Sequence, residues 1–153
     1  MKSQSKSRTS NYSKTTFVKL DDDGLDEKEL ESQKPVNPVV GWLVIVAGHG
    51  IGKSFELKRG LNEIGKDKEN SISLDYGDDS INGLRHFIVI YDHTKGNFLI
   101  QNGSNDNEIF LNDKKMFYFD TLSTTDTIKV GSTTMRFISF CNETCVWDFD
   151  KLV

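Results

Sequence analysis

From Val39 onward the chain is cut into short runs by turn residues, and that punctuation leaves no room for a helix of ordinary length. Val39 to Ala47 is apolar throughout, and His86 to Tyr91 is β-branched and aromatic. Ser54 to Lys58 and Ser71 to Leu74 alternate, with Phe55 and Leu57, then Ile72 and Leu74, on one face. Further short runs stand at Leu61 to Ile64, Asn97 to Gln101, Glu108 to Leu111, Lys115 to Phe119, Thr127 to Val130 and Thr133 to Phe140. Turns are expected at Arg59-Gly60, Lys95-Gly96, Asn112-Asp113, Ser123 to Asp126 and Gly131-Ser132. Period-2 runs at this spacing predict an all-β domain over 39–153, a sandwich or barrel.

The first 38 residues have a different composition. Met1 to Leu20 carries Lys2, Lys6, Arg8, Lys14 and Lys19 and no acid, whereas Asp21 to Glu31 carries seven acids against Lys28. Segregated charge with few apolar residues predicts a disordered arm, and Pro35 and Pro38 mark its linker. Thr15 and Thr16 in that arm are candidate phosphorylation sites. A net charge of −4 argues against nucleic acid as a partner. No apolar run is long enough to span a membrane, and the basic start lacks the apolar core of a secretory signal. Two cysteines, Cys141 and Cys145, are too few for a disulfide scaffold, so a cytoplasmic, reducing location is expected. Paired with His49 or His93 they lack the spacing of a zinc site, and no metal or cofactor is expected. Trp147 and Phe149 are expected to pack the last segment back onto the domain.

One motif points elsewhere. Ala47-Gly48-His49-Gly50-Ile51-Gly52-Lys53-Ser54 fits the loose pattern of a phosphate loop. Such a loop must open a helix whose N-terminal amides hold the phosphates. Here Phe55-Glu56-Leu57-Lys58 comes next with period 2 and stops at Arg59-Gly60, so the segment reads as a hairpin between two strands.

Three polar clusters lie at the ends of the expected strands: Ile64-Gly65-Lys66, then Ser80-Ile81-Asn82-Gly83-Leu84-Arg85-His86, then Asn107 to Asp113. Loops gathered at one edge of a β domain make a binding surface. Lys, Arg, Ser, Asn and Gly in those loops suit an anion, and no nucleophile–base pair accompanies them.

In order and spacing these clusters, with Thr125-Asp126-Thr127-Ile128-Lys129-Val130-Gly131, resemble the forkhead-associated (FHA) domain. That family shows Ile-Gly-Arg, Ile-Ser-Arg-x-His, Ser-x-Asn-Gly-Thr-x-Val-Asn-Gly and Gly-Asp-x-Ile-x-Ile-Gly. The resemblance covers roughly residues 41–140, and Gly41 to Val46 is similar to the start of bacterial single-FHA proteins. It implies a β-sandwich of two mainly antiparallel sheets. Loops at one end would bind a phosphothreonine-containing protein or peptide without catalysis, as an adaptor for a Ser/Thr protein kinase.

The resemblance also distributes roles. The family's phosphate-binding arginine maps onto Lys66, beside the supporting Gly65. Its serine maps onto Gly83 by direct counting, or onto Asn82 if the loop holds one extra residue. Arg85 and Ser80 are further phosphate contacts, and His86 braces the loops. Asn107 would clamp the ligand's backbone, and Asn112 would shape the turn after it. Phosphorylated Thr15 or Thr16 could fill the groove in cis, or in a second copy through self-association of the arm. Lys66, Asn82 and Glu108 all depart from the family pattern. They favour the alternative of a phosphate-independent scaffold, in a secretion or envelope assembly.

Overall fold

The computed structural model describes residues 36–152. Thr15, Thr16 and the arm as far as residue 35 lie outside the described residues. The alternation read from the sequence sets the two-faced character of the strands. In Phe87-Ile88-Val89-Ile90-Tyr91-Asp92, residues Phe87, Val89 and Tyr91 are buried and the residues between them are not. Each such side chain taken from water contributes about 1.5–3 kcal/mol, so the alternation fixes which face turns inward.

Among the described residues there are eleven strands, β1 Gly41–Ala47, β2 Ser54–Leu57, β3 Gly60–Gly65, β4 Ile72–Ser73, β5 Phe87–Asp92, β6 Asn97–Asn102, β7 Ile109–Leu111, β8 Lys114–Met116, β9 Phe119–Leu122, β10 Thr127–Val130 and β11 Thr133–Ser139. They form a six-stranded sheet, β2-β1-β11-β10-β7-β8, and a five-stranded sheet, β9-β6-β5-β3-β4. Every pairing is antiparallel except β3 with β4. Leu43, Ile45, Ile128 and Phe137 of the first sheet and Ile64, Phe87, Val89 and Ile100 of the second share one core. The expected two-sheet sandwich is present.

Gly48 to Gly52 is the β1–β2 hairpin turn. Gly48, Gly50 and Gly52 all have φ between 81° and 93°, and Gly52 N–H donates to the Ile45 carbonyl at 2.9 Å. A strand succeeds it, as the period-2 reading expects. At the other end of the chain Trp147 Nε1–H donates to the Val39 carbonyl at 2.8 Å, and Trp147 and Phe149 pack against the core. Cys141 is buried and Cys145 exposed, both as free thiols.

One expected strand is wrong. Lys115 to Phe119 is not continuous: Lys114–Met116 pairs with β7 in one sheet and Phe119–Leu122 with β6 in the other. The chain crosses between sheets at Phe117-Tyr118. Phe117, Tyr118 and Phe119 are all exposed, so the alternation breaks there. Three aromatic residues in a row read as strand by composition, whereas the crossover is imposed by which neighbours each half pairs with.

Candidate peptide-binding cleft

The β4–β5 loop, the β6–β7 loop and the β10–β11 turn meet at one end of the sandwich and enclose a cleft of about 430 Å³. Asp79, Ser80, Ile81 and Asn82 line one side, Asp106, Asn107 and Glu108 the other, with His86 and Gly131 completing the surface.

Three of the lining side chains form a hydrogen-bonded set. Asn82 Nδ2 donates to Asn107 Oδ1 at 2.8 Å, and Asn107 Nδ2 donates to the His86 carbonyl at 2.9 Å. His86 Nδ1 accepts from the Asn82 backbone N–H at 2.8 Å, so Nε2 carries the proton and donates to the Glu108 carbonyl at 3.2 Å. The ring is 3% exposed. Burial pushes its pKa below 6.5, although the Glu108 carbonyl and Asp78 pull the other way. A neutral ring with one donor and one acceptor is what these two partners require. Of the two alignments open in the sequence, the geometry brings Asn82, and not Gly83, against Asn107.

The loop that carries Asn82 is held from below. Lys66 N–H donates to the Asn82 carbonyl and Asp67 N–H to the Gly83 carbonyl, each at 2.9 Å. Asn70, nearly buried, donates from Nδ2 to the Gly83 carbonyl at 2.7 Å and accepts from Arg85 N–H at 2.8 Å. Arg85 takes φ 46°, a left-handed conformation just before His86. Gly65 is required by close approach, because a Cβ there would lie 2.6 Å from the Gly83 carbonyl oxygen.

Asp78 ties the other wall together. Its carboxylate accepts from Ser80 N–H at 3.0 Å, Ser132 N–H at 2.8 Å and the Thr133 hydroxyl at 2.7 Å. It is 3% exposed. Burial alone would raise its pKa, but the hydrogen bonds from Thr133, Ser132 and Ser80 outweigh it and hold the group below 3.8. Gly131 sits directly over it, where a Cβ would meet both carboxylate oxygens at 2.8 Å. Neither Asp78 nor Asn70 was singled out by sequence. Asp78 sits 54 residues from Ser132, and nothing local marks that contact.

The charged residues are less simply arranged than the sequence suggests. Lys66 Nζ lies 3.0 Å from Asp79 Oδ1, a hydrogen bond and charge that raise its pKa. Arg85 is not among the residues that line the cleft, and its Nη1 lies 3.5 Å from Glu63 Oε2. Lys115 lies 3.8 Å from Glu108. Asp79, Asp106 and Glu108 line the cleft, and among the described residues no Lys or Arg does so. Lys66, Ser80, Asn82, His86 and Asn107 are thus gathered at this end, whereas the Arg85 side chain pairs with Glu63. Asn112 is also elsewhere. With φ 51° it forms a two-residue turn with Asp113 (φ 68°), and its side chain bonds Asp126 and Thr127. It shapes the β7–β8 hairpin and does not touch the cleft.

Residues 62–131, which span these loops, match the family model of the FHA domain. Over these residues the chain is similar to the FHA domain. Solved FHA structures superpose on it. The FHA domain of CT664 protein from Chlamydia trachomatis is 23% identical with a TM-score of 0.58, over 66% of this chain and 98% of that one. The FHA domain of an Arabidopsis thaliana hypothetical protein is 24% identical with a TM-score of 0.58, over 70% and 91%. Mycobacterium tuberculosis EmbR, solved in complex with a low affinity phosphopeptide, is 19% identical with a TM-score of 0.56, over 73% of this chain and 28% of that one. At these identities the likeness is one of fold. A comparison with curated proteins finds no match. Among the described residues no helix is long and apolar enough to cross a membrane.

Proposed function

We propose that this FHA-like domain recognises a threonine-phosphorylated segment and serves as a non-catalytic, cytoplasmic adaptor for a Ser/Thr kinase. The observation that carries the reading is the Asn82–His86–Asn107 set lining the cleft, with Lys66 bonded to Asn82 through the backbone. Asn82 Nδ2 and Asn107 Nδ2 each have one of two hydrogens committed within this set. Each amide therefore keeps one N–H for a ligand. A phosphothreonine carries a charge of about −1.5 to −2 and several acceptor oxygens. Lys66 supplies a point charge for it, without the two-pronged grip of an arginine. Thr15 and Thr16, next to Lys14, are candidate ligands within the chain, and tethering would supply a millimolar-scale effective concentration.

The test is a fluorescence-anisotropy titration of the full chain with a phosphothreonine peptide pool and its unphosphorylated twin. Phosphate-dependent binding that Lys66→Ala weakens by about tenfold or more is expected, the size of one charge-assisted hydrogen bond. Equal binding of the twin overturns the reading. It would favour a phosphate-independent scaffold, in a secretion or envelope assembly, for which the carboxylate-lined cleft is the supporting observation.

A further inference from the structure

We infer that Asp79 is a specificity-determining residue of this cleft: it occupies Lys66 until a ligand phosphate displaces it, and so selects phosphothreonines that bring a basic residue of their own. The inference rests on the phosphopeptide reading above. Lys66, the cation that reading assigns to the phosphate, already holds a carboxylate, at 3.0 Å. The Asp79 side chain is 92% exposed, so the pair is weak and exchangeable. A phosphate of nearly twice the charge outcompetes it for Lys66.

The selectivity arises from the carboxylate that this exchange releases. The Asp79 backbone is held at this end of the cleft, because its neighbours on both sides are anchored. Asp78 is pinned to Ser132 and Thr133, and Ser80 N–H is bonded back to Asp78. The freed carboxylate remains within a side chain's reach of a dianion. Among the described residues Lys115 is engaged with Glu108, and Arg85 with Glu63. Asp106 adds a further negative charge on the facing wall. The compensating cation must therefore come from the ligand. A Lys or Arg next to the phosphothreonine would take Asp79 as its partner while the phosphate takes Lys66. An acidic neighbour would meet uncompensated carboxylates on both walls.

The test uses the full chain, wild type and Asp79→Asn, against phosphothreonine peptides with Lys/Arg or Asp/Glu flanks and their unphosphorylated twins. Asp79→Asn removes a charge from an exposed side chain without touching the Asp78 anchor, and circular dichroism checks that the fold is kept. The wild type should prefer the basic-flanked phosphopeptide by about tenfold. Asp79→Asn should bind the acidic-flanked one about three- to tenfold more tightly, the screened effect of one charge a few ångströms from a phosphate. Phosphate-dependent binding that ignores the flanks, or an Asp79→Asn variant with wild-type preferences, overturns the inference and leaves the proposed function standing. Binding that is equal with and without phosphate overturns both.

Discussion

Replacing Asp78 by asparagine tests whether the cleft is held by a buried carboxylate. Oδ2 accepts from Ser132 N–H and the Thr133 hydroxyl, while Oδ1 accepts from Ser80 N–H. An asparagine can keep its oxygen where two donors converge, but its NH₂ then faces the Ser80 N–H, donor against donor. One charged hydrogen bond is lost, worth about 1.5–3 kcal/mol, and the other two fall to roughly half their strength as neutral bonds. The expected loss is about 3 kcal/mol, a large share of the about 5–15 kcal/mol that holds an ordinary domain together. Urea denaturation followed by Trp42 and Trp147 fluorescence should show it as a midpoint lowered by about 1–2 M. The pH dependence gives a second reading. Asp78 is held below 3.8, so its contribution is fully present above that pH and is lost as pH falls through the folded-state value. The asparagine variant has no such group. The gap between the two proteins should therefore be widest near neutrality and shrink in acid. Equal midpoints at neutral pH, or a gap that acid does not change, would refute the assignment.

Two other residues give direct tests. His86, pushed below 6.5 by burial, should titrate below that value in a ring-resonance NMR experiment. The domain should then lose stability as pH falls from 6.5 toward the folded-state value, and a His86 that titrates at or above 6.5 contradicts its place in the network. Among the described residues the buried Tyr91 hydroxyl has no hydrogen-bond partner beyond contact with the weakly polar Cys141 thiol, and burial pushes its pKa up to about 12. Tyr91→Phe should be stabilising by about 1 kcal/mol in calorimetry, because it removes an unsatisfied polar group. A loss of stability would mean that the thiol is a real partner.

The sheets were legible because their signal is local. Whether Val89 faces inward is decided by the residues on either side of it, and a hairpin such as Gly48 to Gly52 is marked by glycines that must take positive φ. The polar clusters were legible for the same reason, since Gly65-Lys66, Asn82 to His86 and Asn107 all stand at strand ends. The crossover at Phe117-Tyr118 was not, because the same aromatic residues would satisfy a continuous strand. It is the pairing of Lys114–Met116 with β7 and of Phe119–Leu122 with β6 that splits them.

The sequence by itself therefore determined the fold class, the turn positions and which loops carry the polar residues, each a property of neighbours along the chain. Only the tertiary structure decided what those polar residues do to one another. Asn82 meets Asn107 across 25 residues, Asp78 meets Thr133 across 55, and Lys66 meets Asp79 across 13. Charge and hydrogen bonding act through space over a few ångströms, so a lysine's partner is set by how two loops fold over one another. In this chain that partner is a carboxylate already waiting at the site.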